Sequence, residues 1–244
     1  MARKRAARRL GVPFGLGRHF SLPSSIVIKG KQYPFETEGD VGTAEVFMEV
    51  LIDDCYGLQA MAASGKPVNT ILDIGANVGM ASVALRCAFP TATLHAYEPN
   101  PALAPFLAVQ AASAGFVPYS EAVGATAGHV SLELAPYSKH TITRLNTGSI
   151  GQGDVPQVAF ATAVERLGGQ VDLVKMDCQG AEWDILQVAD VWAGVQRVVM
   201  EYHLQKPGQT PEKASGHLVD MGFAVTKVEP ADNPNIGLVH AYRP

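Results

Sequence analysis

One strand–turn–helix segment, residues 70–89, constrains the fold of this chain more than any other. Residues 70–74 form a short apolar run that glycine ends, as in a buried strand, and residues 80–89 have the apolar spacing of a helix. Gly75 and Gly79 permit a tight turn and a close approach of a ligand to the backbone. Such a turn needs glycine for steric reasons alone, but its place after a buried strand also predicts a ligand-binding loop.

The residues in and around this loop discriminate between two classes of nucleotide ligand. Asn77 stands where a dinucleotide-binding G-x-G-x-x-G loop has its second glycine, and Asp73 places a carboxylate two residues before Gly75. A pyrophosphate requires bare backbone N–H groups without a neighbouring anion, whereas a cationic amino-sulfonium ligand gains from a carboxylate. Glu98 ends the next predicted strand, where an acid can hold a ribose diol. The pattern therefore favours a sulfonium nucleoside over a nicotinamide cofactor.

Apolar runs alternate with helical segments over the rest of the chain. Further strands are predicted at 93–97, 116–122, 129–134, 171–176 and 195–202, and helices at 101–114, 182–189 and 212–221. Residues 223–228 and 236–242 flank a Pro/Asn/Asp turn, which predicts a C-terminal antiparallel hairpin. This order predicts an α/β fold with a Rossmann-like, doubly wound and mostly parallel sheet, whose strands end at one ligand-binding edge.

The N-terminal part of the chain has a different character. Residues 1–25 contain six basic residues that precede any acidic one, together with several Gly and Pro residues, which predicts a basic disordered tail. Residues 26–66 predict a hairpin around Gly30 and a helical lead-in, and residues 67–244 the α/β domain. The formal net charge of the whole chain is −4, so we expect no nucleic-acid partner.

Composition also bears on the compartment. Cys55, Cys87 and Cys178 form no CxxC pair, which fits a reducing environment, and we expect a cytoplasmic protein. No apolar run approaches the roughly 18 residues that span a bilayer, so no membrane span is expected. The sequence gives no indication of the oligomeric state.

A third group of polar residues follows the two predicted strands after residue 170. Lys175 and Asp177 share one face of their strand, and Glu201 and His203 share one face of the next. Because an unpaired ammonium in an apolar strand is costly, Lys175 requires an acid, and Glu201 is the expected partner if the strands are neighbours. Such a pair either orders the sheet alone or belongs to an active site.

The sequence resembles the FkbM family of methyltransferases over roughly residues 40–205. The resemblance lies in Leu72-Asp-Ile-Gly-Ala-Asn-Val-Gly, Tyr97-Glu-Pro-Asn, Glu121-Ala-Val-Gly and Val171-Asp-Leu-Val-Lys-Met-Asp-Cys-Gln-Gly-Ala-Glu, with a helical lead-in from Glu45 to Tyr56. It implies a class I methyltransferase fold, S-adenosylmethionine as the methyl donor, and a hydroxyl acceptor on a small molecule such as a sugar or a polyketide. The cofactor would then be lined by Tyr56, Asp73, Gly75, Ala76, Asn77, Val78, Gly79, Glu98, Pro99, Asn100, Glu121, Ala122 and Asp177. Gln179 departs from the family's Asp-x-Glu-Gly-Ala-Glu, so no role that needs a charge there is carried over.

Methyl transfer to a hydroxyl requires a group that takes the acceptor's proton. His203 and His140 are the candidate bases, and Lys175, Asp177 and Glu201 complete the candidate catalytic set. Asp177 and Glu201 could also bind a divalent metal such as Mg²⁺, but no dense carboxylate cluster favours one. Two alternatives stay open: a non-catalytic S-adenosylmethionine-binding or scaffold protein and, disfavoured by Asn77, a nicotinamide-dependent oxidoreductase.

Overall fold

The computed structural model describes residues 2–11, 22–28, 30–37, 41–133, 142–145 and 154–244. The helices are α1 (Ala2–Arg9), α2 (Val41–Phe47), α3 (Leu58–Ala63), α4 (Met80–Ala88), α5 (Ala104–Ala114), α6 (Phe160–Glu165), α7 (Glu182–Ile185) and α8 (Pro211–Asp220). A π-helical turn, Met48–Ile52, continues α2, and a 3₁₀-helix spans Ala189–Gly194. The strands are β1 (Ser25–Ile28), β2 (Lys31–Pro34), β3 (Thr70–Ile74), β4 (Thr93–Tyr97), β5 (Val117–Tyr119), β6 (Ala122–Gly124), β7 (Gly128–Glu133), β8 (Ile142–Leu145), β9 (Asp154–Ala159), β10 (Leu173–Met176), β11 (Arg197–His203), β12 (Ala224–Pro230) and β13 (Ile236–Tyr242).

A seven-stranded sheet organises the molecule, with the strand order β12-β13-β11-β10-β3-β4-β5. The strands from β11 to β5 are parallel, and β13 lies antiparallel between β11 and β12. The predicted fold class and the predicted C-terminal hairpin are therefore confirmed. Because the order reverses between β3 and β10, the carboxyl ends of these two strands form the edge at which such sheets bind ligands.

The central strands are apolar on both faces because helices cover both sides of the sheet. Ile71 and Leu173 pack into the cluster that includes α4 and α5, whereas Leu72 and Val174 pack on the opposite side with Trp192. All four of these strand residues have no solvent exposure. This explains why the strands read as continuous apolar runs rather than as alternating ones.

A second sheet, with the order β6-β9-β7-β8, was not predicted as a unit. The single predicted strand at 116–122 divides into β5 and β6, which belong to different sheets, and the predicted strand at 129–134 corresponds to β7. Strand β9 was missed because it is half-exposed and contains Pro156. It joins β6 in parallel and β7 in antiparallel fashion, so its place depends on tertiary pairing rather than on local pattern.

The N-terminus corrects the prediction of a disordered tail. Residues 2–9 form α1, whose Ala7 is fully buried beside Leu10 in the main apolar cluster. Arg3 makes two hydrogen bonds to Asp53 just after the π-helical turn, and the Leu10 carbonyl accepts from the Val27 N–H. The small alanines let the helix lie close to the fold while Arg3, Arg5 and Arg8 are exposed, so basic composition alone was misleading. Residues 12–21 lie outside the described part of the chain.

The predicted hairpin around Gly30 is confirmed, since β1 and β2 pair antiparallel. Among the described residues, no helix combines the length and the apolar character that crossing a bilayer demands.

Candidate active site

The loop between β3 and α4 is held against the end of β4 by its own backbone. The N–H groups of Gly75 and Ala76 both donate to the Tyr97 carbonyl, at 3.0 and 2.9 Å. Gly75 and Asn77 adopt positive φ angles of 77° and 52°, and both are partly exposed. The remaining loop residues are buried, namely Ala76, Val78 and Gly79. Of the predicted loop contacts, a ligand at this edge would therefore meet Gly75 and Asn77 first.

Glu98 connects this loop to the end of β4. Its Oε2 accepts the Asn77 N–H at 2.8 Å, and its Oε1 accepts the Asn100 N–H at 2.9 Å. Burial raises the pKa of Glu98 to about 7, although these two N–H donors oppose the shift. Each carboxylate oxygen has a second lone pair, and 7% of the residue stays exposed. Glu98 can thus still accept a hydroxyl from a ribose at the place where the sequence predicts one.

The partner of Lys175 differs from the predicted one. Its Nζ lies 3.1 Å from Asp73 Oδ1 on the neighbouring strand and donates to the Gly75 carbonyl at 2.7 Å. Glu201 is not the partner because β10 pairs with β3 in a register that sets Lys175 opposite Asp73. Burial alone would lower the pKa of Lys175, but the charges of Asp73 and Asp177 outweigh it and raise that pKa.

Asp73 itself is fully buried and also accepts the Ser82 hydroxyl at 2.6 Å. Its carboxylate is thus used within the fold, where it fixes Lys175 and the start of α4. The sequence placed Asp73 and Lys175 at the site; the structure gives both of them positions that shape the β3–α4 loop, residues 75–79, which is the predicted cofactor loop.

Main-chain packing brings the loop against the end of β10. A Cβ atom added to Gly75 would lie 1.7 Å from the Asp177 carbonyl oxygen, so only glycine fits there. The contact sets the partly exposed loop against the main chain of Asp177, whose side chain is also partly exposed. The β3–α4 loop and the end of β10 are therefore direct neighbours.

Three predicted side chains meet at the ends of β10 and β11. Ligand atoms of Asp177, Glu201 and His203 all lie within 4.8 Å of one another. His203 Nε2 is 3.1 Å from Glu201 Oε1 and 3.9 Å from Asp177 Oδ1. The side chains of Asp177 and Glu201 are 23% and 25% exposed, whereas that of His203 is 5% exposed. The period-two rule correctly predicted that Glu201 and His203 share a face.

Glu182, which the sequence analysis did not single out, holds His203 of this cluster in place. Its Oε1 lies 2.8 Å from His203 Nδ1 and also accepts the His203 N–H at 2.8 Å. Its Oε2 accepts the Gly180 N–H at 2.8 Å. A glutamate with no exposure needs such partners. Its place at the end of the Gln-Gly-Ala-Glu motif was the available signal.

Opposing effects set the protonation of the cluster. Burial disfavours the charged imidazole, but the carboxylates of Glu182, Glu201 and Asp177 together outweigh it and raise the pKa of His203 to about 10. Burial, followed by the charge of Asp177, raises the pKa of Glu201. The cluster therefore holds protons more tightly than isolated side chains would.

Tyr56 lies under the same edge rather than at the surface. Its ring centroid is 5.6 Å from Lys175 Nζ, and the residue is 5% exposed. Burial and the charge of Asp177 raise its pKa well above the usual value. Tyr56 thus forms part of the floor of the site.

The remaining predicted residues are more peripheral. Pro99 is partly exposed, and buried Asn100 accepts the Ala102 N–H, which shapes the chain after Glu98. Glu121 is paired with Arg166, whose guanidinium also lies over the Tyr119 ring, and Ala122 is buried in β6. The second candidate base, His140, lies outside the described residues.

These features fit a nucleoside cofactor at the β3–β4 side and an acceptor at the β10–β11 side. The exposed surface of Gly75 and Asn77 allows backbone contact, and Glu98 retains acceptor capacity for hydroxyls. The partly exposed carboxylates of Asp177 and Glu201 lie at the ends of β10 and β11, and the main chain of Asp177 contacts Gly75. Fold and site together define a class I methyltransferase.

Comparison with known families identifies the chain further. Residues 73–223 match the model of the methyltransferase FkbM domain, and the chain belongs to the FkbM family of S-adenosylmethionine-dependent methyltransferases. A relative, the methyltransferase sdnD of Sordaria araneosa, is 26% identical over 220 residues, which cover 75% of this chain and 82% of that protein.

A solved structure shows a similar fold. An O-methyltransferase family protein from Burkholderia thailandensis superposes with a TM-score of 0.50 at 12% identity, covering 83% of this chain and 58% of the other. A magnesium protoporphyrin IX methyltransferase from Synechocystis PCC 6803, solved with bound S-adenosylmethionine, has a TM-score of 0.49 at 15% identity and covers 85% of this chain and 87% of its own.

Proposed function

We propose that this methyltransferase transfers the methyl group of S-adenosylmethionine to a hydroxyl of a small molecule, such as a sugar or a polyketide. One observation carries the proposal: the main chain of Asp177 packs against Gly75 of the β3–α4 loop, and the partly exposed carboxylates of Asp177 and Glu201 lie around His203 at the same strand ends. An acceptor oxygen there would stand beside both the methyl donor and a group able to take its proton.

The donor side follows from the loop and the end of β4. Gly75 and Asn77 offer exposed backbone to the cofactor, and Glu98 accepts its ribose hydroxyls. Lys175 and Asp73 act as positioning residues, because both are buried and tie the loop carbonyl to the sheet. The sulfonium of the bound cofactor supplies the electrophilic methyl group.

On the acceptor side, the carboxylates are better placed than the imidazole to receive the proton. With a pKa raised to about 10, His203 is already protonated at neutral pH in the metal-free protein, so it cannot act there as a base. Glu201 remains one quarter exposed, and its burial-raised pKa makes it a stronger base than an ordinary carboxylate. We assign proton acceptance to Glu201 with Asp177 beside it.

The partial burial of Asp177 and Glu201 supports a small acceptor. About three quarters of each of the two carboxylate side chains is covered, so an acceptor must insert a hydroxyl into the edge of the sheet. The net charge of −4 argues against a nucleic-acid acceptor. The resemblance to the FkbM family points to sugars, polyketides and related molecules.

Methyl transfer to a panel of acceptors tests this function. The chain is incubated with S-adenosylmethionine carrying a ¹³C-methyl group and with hydroxylated glycosides, polyketides and matched amines or thiols, and products are analysed by mass spectrometry and NMR. We expect a labelled O-methyl ether as the product. Glu201→Gln should lower the turnover rate by about 10²–10⁴-fold, while the affinity for S-adenosylhomocysteine stays the same.

Two other outcomes would contradict the proposal. Labelled N- or S-methyl products with no O-methyl product would overturn the hydroxyl assignment. S-adenosylhomocysteine binding without turnover of any acceptor class would favour a non-catalytic cofactor-binding protein instead.

A further inference from the structure

We propose that Asp177, Glu201 and His203 bind a divalent cation at the carboxyl edge of the sheet. The three side chains offer two carboxylate oxygens and one imidazole nitrogen, all within 4.8 Å of one another. Metal–ligand bonds of about 2.0–2.2 Å place neighbouring ligand atoms about 3 Å apart and opposite ones about 4 Å apart. The observed separations of 3.1 Å and 3.9 Å from His203 Nε2 match these two values.

The orientation of His203 is that of a metal ligand. Glu182 Oε1 lies 2.8 Å from Nδ1, and a buried carboxylate accepts, so Nδ1 carries the proton and Nε2 points towards Asp177 and Glu201. Histidines that bind metals commonly donate their other N–H to a carboxylate in this way. Glu182 is itself fixed by the N–H groups of His203 and Gly180.

The Nε2 atom of His203 is an independent indication of a missing ligand. It is fully buried and, within the described part of the chain, has no hydrogen-bond partner of acceptable geometry, although Glu201 lies close. The side chain of His203 is only 5% exposed. A buried nitrogen aimed between two carboxylates holds a positive charge there, either the proton of the imidazolium or a bound cation that replaces that proton.

The charges around the cluster point the same way. Asp177, Glu201 and Glu182 contribute three carboxylates around His203. Apart from that imidazole, the buried cation of the neighbouring strand end, Lys175, is 3.1 Å from Asp73 and donates to the Gly75 carbonyl. Lys175 therefore does not neutralise the cluster fully. A divalent cation would balance these charges and leave the partly exposed side of Asp177 and Glu201 open.

The mixed donor set favours a transition metal over Mg²⁺. Imidazole suits Zn²⁺ and Fe²⁺, carboxylates suit Mn²⁺, and Mg²⁺ prefers oxygen ligands alone. The sequence did not favour a metal because it offered no dense carboxylate cluster; the fold brings Asp177, Glu201 and His203 together and adds the support of Glu182.

A cation here would lower the pKa of an acceptor hydroxyl that binds beside it. A carboxylate that binds through one oxygen keeps the other for the proton. That chemical role rests on the proposed function, whereas binding of the cation does not.

Binding of Mn²⁺ tests the proposal without any turnover. Untagged, EDTA-treated protein is titrated with Mn²⁺, and free Mn²⁺ is followed by electron paramagnetic resonance; Zn²⁺ competition is then measured. We expect one Mn²⁺ per chain, displaced by Zn²⁺, with affinity reduced at least tenfold in Glu201→Gln and in His203→Gln. Electron spin-echo modulation from a bound ¹⁴N nucleus should be present in the parent protein and lost in His203→Gln.

Asp184→Asn is the matched control, because this exposed carboxylate lies on α7 only two residues from Glu182. It should bind Mn²⁺ like the parent. Circular dichroism and S-adenosylhomocysteine binding establish that each variant is folded. Less than one bound Mn²⁺ or Zn²⁺ per parent chain, equal affinity in Glu201→Gln and Asp184→Asn, or bound Mn²⁺ without nitrogen modulation would each overturn the proposal. Labelled methyl transfer can succeed or fail independently of all three results.

Discussion

Lys175 Nζ lies 3.1 Å from Asp73 Oδ1, and the two residues are register partners on the adjacent parallel strands β10 and β3. The same ammonium donates to the carbonyl of Gly75, so one buried cation joins the two central strands to the cofactor loop. Breaking a buried pair by removing one member leaves the other charge without compensation.

Lys175→Met should therefore lower the free energy of unfolding by about 3–5 kcal/mol. Adding Asp73→Asn should recover part of the lost stability, because it removes the carboxylate charge that Lys175→Met leaves unpaired. Urea denaturation of the single and double variants measures the coupling. The exposed pair of Arg3 and Asp53 is the control, and Arg3→Met should cost much less stability than Lys175→Met because solvent screens the pair. Equal losses in Lys175→Met and Arg3→Met would contradict this role.

Gly75→Ala should disrupt the cofactor loop, because the new Cβ would meet the Asp177 carbonyl at 1.7 Å. Gly65→Ala is matched for backbone strain: φ is 71° at Gly65 and 77° at Gly75, but nothing lies within 4 Å of a Cβ at Gly65. We expect Gly65→Ala to cost about 1 kcal/mol of stability. Gly75→Ala should additionally weaken S-adenosylhomocysteine binding more than tenfold by calorimetry. Similar affinities for the two variants would separate the loop from the cofactor site.

Cofactor affinity should depend on pH through Glu98. Burial raises the pKa of Glu98 to about 7, so the carboxylate ionises as the pH rises through 7. Since the ionised form is the stronger hydrogen-bond acceptor, affinity for S-adenosylhomocysteine should increase between pH 6 and pH 8 and then level off.

Calorimetry of Glu98→Gln isolates this effect. The variant should lose the pH dependence and bind about 1–3 kcal/mol more weakly at pH 8. Glu229→Gln, which changes an exposed carboxylate on β12, should keep the parent profile. An unchanged pH profile in Glu98→Gln would remove Glu98 from ribose recognition.

The N-terminal helix should contribute to stability. Ala7→Asp places a charge where the parent side chain has no exposure, so we expect a loss of about 2–4 kcal/mol in the free energy of unfolding. Arg8→Asp makes the same residue at an exposed neighbouring position and should change stability by about 0.5 kcal/mol or less. Thermal denaturation compares the two; equal melting temperatures would mean that α1 does not pack on the fold in solution.

The parallel sheet could be predicted because each of its strands has a recognisable local sequence pattern. The segments at β3 and β4 are short apolar runs that end in glycine or in an acid before proline, and buried parallel strands require such runs. The π-helical turn Met48–Ile52, the second sheet and the docking of Ala7 could not be predicted, because each depends on contacts between segments far apart in sequence.

The sequence could predict which strand ends carry the polar residues of the candidate site, but not which side chains pair with each other there. Period-two alternation correctly placed Glu201 beside His203, but only the strand order and register could reveal that Lys175 faces Asp73. Glu182 was missed because it follows the strand on a short helix, and only the three-dimensional fold turns it back beneath His203.

The contact between Gly75 and the Asp177 carbonyl joins main chain to main chain. The spacing between the β3–α4 loop and the end of β10 is therefore set by backbone atoms. Side-chain identity does not affect this spacing, except that position 75 must be glycine. Side chains around the site can then be exchanged to admit other acceptors without altering this main-chain spacing. This separation makes the scaffold suited to redesign of acceptor choice.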